Sequence, residues 1–234
     1  MVGLLEPADK SRFVAAMFGR IARRYDLMNT LITGGQDAAW RRTLAEQVPA
    51  GSRRILDVGT GTGKLASALA QRLPLAHVIG IDFALPMLRA GDRRQVAAAD
   101  ALALPFPART FDATVSAFLV RNLADVERGL AEQARVLRPG GRLVILEITP
   151  GPAEPLPGTL FRLYFRGLVP LLGGVIAGDA SAYTYLPESA AAFVEPERLA
   201  DALHGLGLID VHVRRLALGS VALVVGVTPG SASP

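Results

Sequence analysis

The sequence predicts an α/β protein with a Rossmann-like, seven-stranded, mostly parallel sheet, helices on both faces and a C-terminal antiparallel hairpin. Three observations lead to this prediction. Strand-like and helix-like segments alternate between residues 53 and 148, and a glycine-rich turn follows the first strand. Near the C-terminus, two β-branched segments are joined by the short turn 218–220, which is typical of a hairpin. With 234 residues, half of them hydrophobic, the chain is long enough for one well-cored α/β domain.

Two amphipathic helices are predicted ahead of the sheet. Apolar residues recur every three or four positions within 9–29, and Trp40, Leu44 and Val48 repeat this spacing in a second segment. Strands are then predicted at 53–58, 77–82, 96–100, 111–118 and 142–148, with helices at 65–73, 86–90 and 125–137 and a turn at 138–141. A helix at 197–206 and hairpin strands at 209–216 and 221–228 complete the series.

The same segments give the domain organisation. Residues 1–50 are predicted to be a helical lead-in on the substrate side, and residues 51–229 form the main domain. Proline and glycine interrupt the pattern at 150–158, so residues 150–195 are predicted to be a helical lid insertion in that domain. Residues 230–234 are expected to be a frayed tail.

The glycine-rich turn, RRILDVGTGTGK at 53–64, carries the strongest functional signal. Glycine allows a positive φ and a close approach of the backbone to a ligand. A phosphate-binding P-loop is disfavoured, because Val58 stands where its first glycine should be and Leu65 where its hydroxyl residue should be. A dinucleotide motif is disfavoured as well, since Lys64 occupies the position of its third glycine.

The carboxylate that precedes the glycines favours a cationic ligand. S-adenosylmethionine carries an ammonium and a sulfonium group and no phosphate, so it is the predicted cofactor; a tight turn without a ligand is the alternative. Asp57, Asp82 and Asp100 each lie at the end of a predicted strand, and ligands of such sheets lie beyond the carboxyl ends of the strands. We expect Asp57 to hold the amino-acid end, Asp82 to accept hydrogen bonds from both ribose hydroxyls and Asp100 to accept one from adenine. The other predicted cofactor-binding residues are Gly59, Thr60, Gly61, Thr62 and Gly63 in the turn, Phe83 and Met87 around the adenine ring, and Ala101.

Composition and charge disfavour other classes of function. The net charge is +4, but the arginines form scattered pairs without a continuous basic stripe, so no nucleic-acid partner is expected. Cysteine is absent and the three histidines are isolated, so no metal site is predicted. The N-terminus lacks the pattern of a signal peptide, and the most apolar segment, 167–177, is too short to cross a bilayer. We expect a cytoplasmic protein, with peripheral contact at the inner face of the cytoplasmic membrane as an open alternative.

Two longer segments resemble a known family. Residues 25–40, YDLMNTLITGGQDAAW, resemble the Y-D-x-M-N…W signature of the ubiquinone/menaquinone-biosynthesis C-methyltransferase family, within the class I S-adenosylmethionine-dependent methyltransferases. Residues 135–149, RVLRPGGRLVILEIT, resemble its R-V-L-K-P-G-G…E-x-S motif. The resemblance runs from about residue 14 to residue 227 and includes further matches at 103–107, 121–122 and 183–189.

The chain also departs from the family pattern at several positions. Asp37 stands where the family has a histidine, and Thr33 and Thr149 stand where it has serines. Leu119 replaces a glycine, which we expect to bring a side chain near the substrate pocket. Ala117 replaces a cofactor-contacting serine and joins the predicted cofactor-binding residues.

The resemblance implies an enzyme that methylates a ring carbon of a lipophilic, polyprenylated quinol. On this basis we expect Arg121 to stabilise the quinol anion and Asn122 to orient it. Tyr25 is the third predicted catalytic residue, and it is also expected to line the ring pocket. The predicted substrate-pocket residues are Tyr183, Tyr185 and Leu119.

Several alternatives stay open at this point. Arg121 and Asn122 are also explained as the start of the next helix, with Asn122 as its cap. The acceptor is a naphthoquinol, a benzoquinol or another small phenolic compound, and a non-catalytic adenosylmethionine-binding module or a nicotinamide enzyme is less favoured. Residues 159–177 are a lid, a site for the polyprenyl tail, a membrane contact or plain packing. A homodimer is an open alternative to a monomer.

Overall fold

The computed structural model describes residues 7–91, 95–149 and 193–230, together with Tyr164, Gly167, Val169, Thr184, Tyr185, Glu188 and Ser189. Helices α1 (Pro7–Ile32) and α2 (Gln36–Gln47) come first. The sheet region then contains β1 (Arg54–Val58), α3 (Lys64–Arg72), β2 (His77–Asp82), α4 (Leu85–Ala90), β3 (Val96–Ala98), β4 (Phe111–Ala117), a 3₁₀ turn (Val120–Asn122), α5 (Val126–Arg135) and β5 (Leu137–Ile148). The described C-terminal range contains α6 (Pro196–Gly205), β6 (Ile209–Leu216), a second 3₁₀ turn (Ala217–Gly219) and β7 (Val221–Val227).

The strands form one seven-stranded sheet in the order β3-β2-β1-β4-β5-β7-β6. Strands β1 to β5 pair in parallel, while β7 runs antiparallel to both β5 and β6. This confirms the predicted mostly parallel sheet with its C-terminal hairpin. The two lead-in helices are confirmed as well. The strand order reverses direction at β1 and β4, which places the ligand site of such a sheet at their carboxyl ends.

Several predicted boundaries differ from the structure, and two differences have a clear physical reason. Residues 138–141 were predicted as a turn before the strand, but β5 already begins at Leu137. Phe111 lies opposite Leu137 and Ala113 opposite Arg142, so the intervening residues bulge out of the ladder instead of separating two elements. Strand β3 ends at Ala98, two residues earlier than predicted, because its pairing with β2 stops at Asp82.

Both faces of the sheet are covered by helices. Ile55 and Leu56 are adjacent in β1 and fully buried, yet they belong to opposite hydrophobic clusters because side chains alternate across a strand. The cluster around Ile55 includes Leu44 of α2 and Leu69 of α3, whereas the cluster around Leu56 includes Leu130 of α5 together with apolar residues of α6. These two layers fix the strand ends that carry the site.

Helix α1 is fastened to the carboxyl side of the sheet at both of its ends. Lys10 Nζ donates a hydrogen bond to Leu123 O at 2.6 Å, and Asp26 Oδ1 accepts one from Thr62 Oγ1 at 2.8 Å. The helix therefore lies beside both the glycine turn and the loop after β4. Among the helices in the described ranges, none is both long enough and apolar enough for a membrane span.

Candidate active site

The glycine turn after β1 adopts the conformation that its sequence predicts. Gly59, Gly61 and Gly63 have φ values of 70°, 58° and 84°, all in the left-handed region that favours glycine. A Cβ atom at Gly59 would lie 2.7 Å from Leu119 Cδ1, so a side chain at this position would also collide with its neighbour. Thr60 N donates a hydrogen bond to Ile81 O at 2.9 Å, which ties the turn to β2.

Asp57 lies buried beneath this turn. Its Oδ2 accepts a hydrogen bond from Thr60 Oγ1 at 2.7 Å, whereas its Oδ1 is buried and accepts none from the described residues. Burial raises the pKa of the Asp57 carboxyl from 3.8 to about 7. A buried carboxylate oxygen without a donor is suited to a nearby cation, and the ammonium group of S-adenosylmethionine provides one.

The other two strand-end carboxylates differ in their surroundings. Asp82 Oδ2 accepts a hydrogen bond from Gly61 N at 2.9 Å and its Oδ1 accepts one from Ala84 N at 2.8 Å, so the carboxylate links β2 to the glycine turn. Burial raises the pKa of Asp82 above its ordinary value. Asp100 is exposed and accepts a hydrogen bond from Leu102 N at 2.8 Å.

A cavity at the carboxyl ends of β1, β2 and β4, here called the cofactor-side cavity, brings most of the predicted cofactor-binding residues together. Residues of α1, including Phe18 and Tyr25, line its other side. The predicted residues among its lining are Gly59, Gly61, Asp82, Phe83, Met87, Asp100, Ala101 and Ala117. Its acidic, apolar and small residues suit an adenosylmethionine molecule.

Four predicted cofactor-binding residues do not line this cavity. Asp57 and Thr60 lie beneath the turn and bond to each other, Thr62 bonds to Asp26 of α1, and Gly63 is the N-cap of α3. Leu119, which was predicted for the substrate pocket, lines the cofactor-side cavity. Its side chain covers Gly59, so its effect falls on the cofactor end of the site.

A second cavity, here called the acceptor-side cavity, has a volume of about 300 Å³ and lies between α1, α2 and the loop after β4. Its lining is mostly apolar, with Tyr25, Asp37, Arg121 and Tyr185 among the polar residues. The two cavities share three aromatic side chains: Phe18, Tyr25 and Phe118. A ligand in each cavity would therefore meet the other at this aromatic boundary.

Phe118 is a boundary residue that the sequence reasoning missed. Its backbone is left-handed, with φ of 61°, which is unusual for a bulky residue. The guanidinium carbon of Arg41 lies 5.2 Å from its ring centroid and that of Arg121 lies 5.9 Å away. Trp40 packs edge-on against the same ring at 6.5 Å. The sequence did offer one signal for it, because Phe118 directly precedes Leu119, which replaces a glycine of the family pattern.

Arg121 lies in the first 3₁₀ turn and is buried. It forms an ion pair with Glu147 of β5, and its backbone N–H donates to Glu147 Oε2 at 3.2 Å. Arg121 Nε has no partner among the described residues. Glu147 was also missed, although it matches the acidic position of the second quoted motif, at 135–149.

Asn122 and Tyr185 are brought together beside Arg121. Asn122 Nδ2 donates to Phe118 O at 3.0 Å, and Asn122 Oδ1 accepts a hydrogen bond from the Tyr185 hydroxyl at 3.0 Å. Burial raises the pKa of Tyr185. The next helix, α5, is capped by Asp125, whose Oδ1 accepts from Arg128 N at 2.9 Å. The alternative that Asn122 caps this helix is therefore wrong.

Asp37 and its neighbours form a second buried ion pair in the acceptor-side cavity. Asp37 Oδ2 accepts a hydrogen bond from Arg41 Nη1 at 2.5 Å, and both residues are buried. Thr33 Oγ1 lies 3.3 Å from Asp37 Oδ1. Tyr183 and nearly all of the predicted lid, including most of 159–177, lie outside the described residues, although the Tyr164 hydroxyl donates to Ile32 O at 2.6 Å.

Several known proteins are similar to this chain in sequence or in fold. A demethylmenaquinone methyltransferase of Deinococcus radiodurans is 47% identical over 227 residues, covering 93% of each chain, and one of Thermus thermophilus is 46% identical over 222 residues, covering 91% of this chain and all of the relative. A ubiquinone/menaquinone biosynthesis C-methyltransferase of Desulfotalea psychrophila is 42% identical, covering 94% and 92%. A solved S-adenosylmethionine-dependent methyltransferase of Thermotoga maritima shares the fold, with a TM-score of 0.64 at 18% identity over 91% of this chain and 99% of its own.

The fold, the glycine turn and these relatives define the class: the chain is an S-adenosylmethionine-dependent methyltransferase. Within that class it belongs to the ubiE/COQ5 methyltransferase family, whose model matches residues 6–228. The family resemblance, the fold class and the predicted cofactor are thereby confirmed.

Proposed function

We propose that this protein methylates a ring carbon of a polyprenylated quinol, either demethylmenaquinol or the benzoquinol precursor of ubiquinol. The observation that carries the proposal is the pair of cavities that share Phe18, Tyr25 and Phe118. One contains the strand-end carboxylates Asp82 and Asp100 and suits S-adenosylmethionine, while the other is larger and mostly apolar and suits an aromatic acceptor. Two relatives at 46% and 47% identity are named for demethylmenaquinone, which makes the naphthoquinol the first substrate to test.

The bound cofactor would supply an activated methyl group on its sulfonium. Asp82 and Asp100 would bind its ribose and adenine, and Asp57 Oδ1 would bind its ammonium end. Leu119 and the residues of α1 would cover the bound molecule and exclude water from it. Since methyl transfer between a cation and an anion neutralises charge, exclusion of water and alignment would supply most of the rate.

Arg121 would act on the acceptor oxygen. Its ion pair with Glu147 balances its charge, so it would act through a directed hydrogen bond and not through a net positive charge. The Nε–H group, which has no partner among the described residues, would donate a hydrogen bond to the oxygen as negative charge develops there. Asn122, held by Tyr185 and by Phe118 O, would orient the ring or a water molecule beside it.

The proposal extends to contact with the inner face of the cytoplasmic membrane, because a polyprenyl tail partitions into lipid. Leu27 and Leu31 of α1 support this extension, since they are 54% and 45% exposed on the helix that also contributes Tyr25, Asn29 and Ile32 to the lining of the acceptor-side cavity. Flotation with vesicles of anionic lipid tests it. The L27S/L31S double variant should lose binding, whereas L206S, at an exposed leucine of the α6 end, should keep it. Equal flotation of both variants would contradict the extension.

The proposed function is tested by mass spectrometry of quinones from cells that lack this protein. A demethylated quinone should accumulate, and its ring system would identify the acceptor. Reintroduction of the wild-type chain should restore the methylated quinone, whereas D82N should not, because Asp82 holds the glycine turn and would bind the ribose. An unchanged quinone pool would favour the runner-up, a methyltransferase for a different phenolic acceptor.

A further inference from the structure

The acceptor-side cavity must contain a group that can accept a proton from the acceptor. If a quinol is the acceptor, as proposed above, its ring hydroxyl must lose a proton before the ring carbon becomes a strong nucleophile. The proton needs a receiving group within the cavity. The titratable residues among its described lining are Tyr25, Asp37, Arg121, Tyr164 and Tyr185.

Four of these groups are poor proton acceptors. An ordinary tyrosine keeps its proton at neutral pH, and burial raises the pKa of Tyr164 and Tyr185 further. Arginine does not deprotonate in proteins, and Arg121 is held by Glu147. Glu147 itself does not line the cavity and already accepts from the backbone N–H groups of Arg121 and Ile148. Asp37 is thus the only carboxylate among the described residues of the lining.

One oxygen of Asp37 is available for a further hydrogen bond. Oδ2 is committed to Arg41 at 2.5 Å. The partner of Oδ1 is Thr33 Oγ1 at 3.3 Å, but the same hydroxyl lies 2.8 Å from Asn29 O. A hydroxyl has one proton to donate, and the shorter contact shows that Thr33 donates it mainly to Asn29 O. Oδ1 therefore has room for the hydroxyl of an acceptor.

We propose that Asp37 is the general base that removes the proton from the ring hydroxyl of the acceptor. In this step the O–H bond of the acceptor breaks and an O–H bond to Asp37 Oδ1 forms, which leaves an aryloxide. The ring carbon is then methylated, and its own hydrogen leaves as a proton to water, which restores the aromatic ring. The product oxygen takes back the proton of Asp37, so one proton is released for each methyl transferred.

The charged groups around Asp37 allow this cycle. Arg41 on α2 keeps its positive charge throughout, and Arg121 faces the same cavity from the loop after β4. When Asp37 accepts the proton, the aryloxide replaces it as the negative partner of the Arg41 guanidinium group, while Arg121 keeps its pairing with Glu147. The net charge of the cavity is the same before and after the transfer, so the step avoids an unpaired buried charge.

The variants D37N and D37H test this role with demethylmenaquinol as acceptor. D37N keeps the shape and an oxygen for Arg41, so it should bind S-adenosylmethionine as the wild type does. It should also still bind 1,4-naphthoquinone, which has no hydroxyl proton, as measured by quenching of Trp40, the only tryptophan of the chain and a lining residue. Its turnover at neutral pH should fall about a hundredfold or more.

The pH dependence separates proton transfer from a merely structural role. The deficit of D37N should shrink as pH rises, because the acceptor then ionises in water without help. D37H should recover much of the turnover, with its acidic limb at higher pH, because imidazole loses its proton at higher pH than a carboxyl group. D112N is the matched control, since Asp112 pairs with Arg138 at 2.7 Å and does not line the cavity.

The turnover of D37N and of the wild type distinguishes the base role from its alternatives. A D37N deficit that is the same at every pH would overturn the base role and leave Asp37 as a positioning residue for Arg41. Full turnover of D37N would exclude both roles. If the wild-type protein methylates no quinol, the proposed function is overturned, and the base role with it. The assay of the wild type alone identifies this outcome, without any variant.

Discussion

Glu147 fixes Arg121 through both its side chain and its backbone. The carboxylate forms a buried ion pair with the guanidinium group and accepts the Arg121 backbone N–H at 3.2 Å. It also accepts the N–H of Ile148 at 2.9 Å. Because both side chains are nearly inaccessible, the pair sets the position of Arg121 at the wall of the acceptor-side cavity with its charge already balanced.

Removal of Glu147 is expected to leave the Arg121 charge buried and uncompensated. E147A should lower the free energy of unfolding by about 3–5 kcal/mol, as measured by urea denaturation. E197Q is the matched control, because Glu197 pairs with Arg215 at 2.8 Å on the surface, and its effect should stay within about 0.5 kcal/mol. Similar losses of unfolding free energy in both variants would show that the buried ion pair contributes no more to stability than the surface pair.

The Tyr185 hydroxyl is expected to matter for turnover through Asn122. Y185F removes the donor to Asn122 Oδ1, so kcat should fall by roughly twofold to tenfold, the value of one ordinary hydrogen bond. Y164F removes a hydroxyl that donates to Ile32 O in the same cavity wall, and it should alter stability more than kcat. Steady-state kinetics with both variants checks this prediction. Equal kcat values for Y164F and Y185F would argue against it.

The glycine turn provides a second matched pair. G59A introduces a Cβ at φ of 70° and 2.7 Å from Leu119 Cδ1, whereas G140A introduces one at φ of 74° with nothing within 4 Å. Both variants should suffer the backbone cost of about 1 kcal/mol. Only G59A should also lose affinity for S-adenosylmethionine, by roughly tenfold or more, in calorimetric titration. The prediction fails if G140A lowers the affinity for S-adenosylmethionine as much as G59A does.

Asp57 is expected to make stability depend on pH. Its pKa is about 7 in the folded protein and 3.8 ordinarily, so between these values the folded state holds a proton that the unfolded state has lost. This contribution to stability is fully present below the lower pKa and disappears as pH rises through about 7. Relative to D57N, the wild type should therefore lose stability from weakly acidic to neutral pH in urea denaturation. A constant difference would contradict the assignment.

Cofactor binding should release that proton. A cation beside the carboxylate lowers its pKa, so binding of S-adenosylmethionine below about pH 7 should expel a proton from Asp57. Calorimetry in two buffers with different ionisation enthalpies measures the number of protons released. The wild type should release a fraction of a proton that D57N does not. Identical proton release from the two proteins would place the ammonium group elsewhere.

Local sequence signals were sufficient for the fold and for the cofactor half of the site. Strand alternation and the C-terminal turn specified the sheet, and Asp82 and Asp100 lie in the cofactor-side cavity as expected. These features depend on residues that are close along the chain or on a general rule for parallel sheets. The same rule does not state which side chains line a cavity, so Asp57 beneath the turn was not distinguished from Asp82 above it.

The acceptor half could be predicted only by resemblance. The pairing of Arg121 with Glu147 depends on β4 and β5 being neighbours, and no local pattern encodes which charge on one strand meets which on the next. The left-handed Phe118 and the bulge at 138–141 are likewise products of tertiary packing. Asp37 lines the cavity because α2 packs beside α1, whereas in the sequence it was marked only as a departure from the family pattern.

The most direct test of the central claim is methyl transfer by the purified protein. S-adenosylmethionine with an isotopically labelled methyl group is incubated with demethylmenaquinol in detergent micelles, and the quinone is analysed by mass spectrometry. The account predicts one labelled methyl group on a ring carbon of the naphthoquinol, with far less product from soluble phenols. A labelled methyl group on oxygen, or transfer to phenols alone, would contradict it.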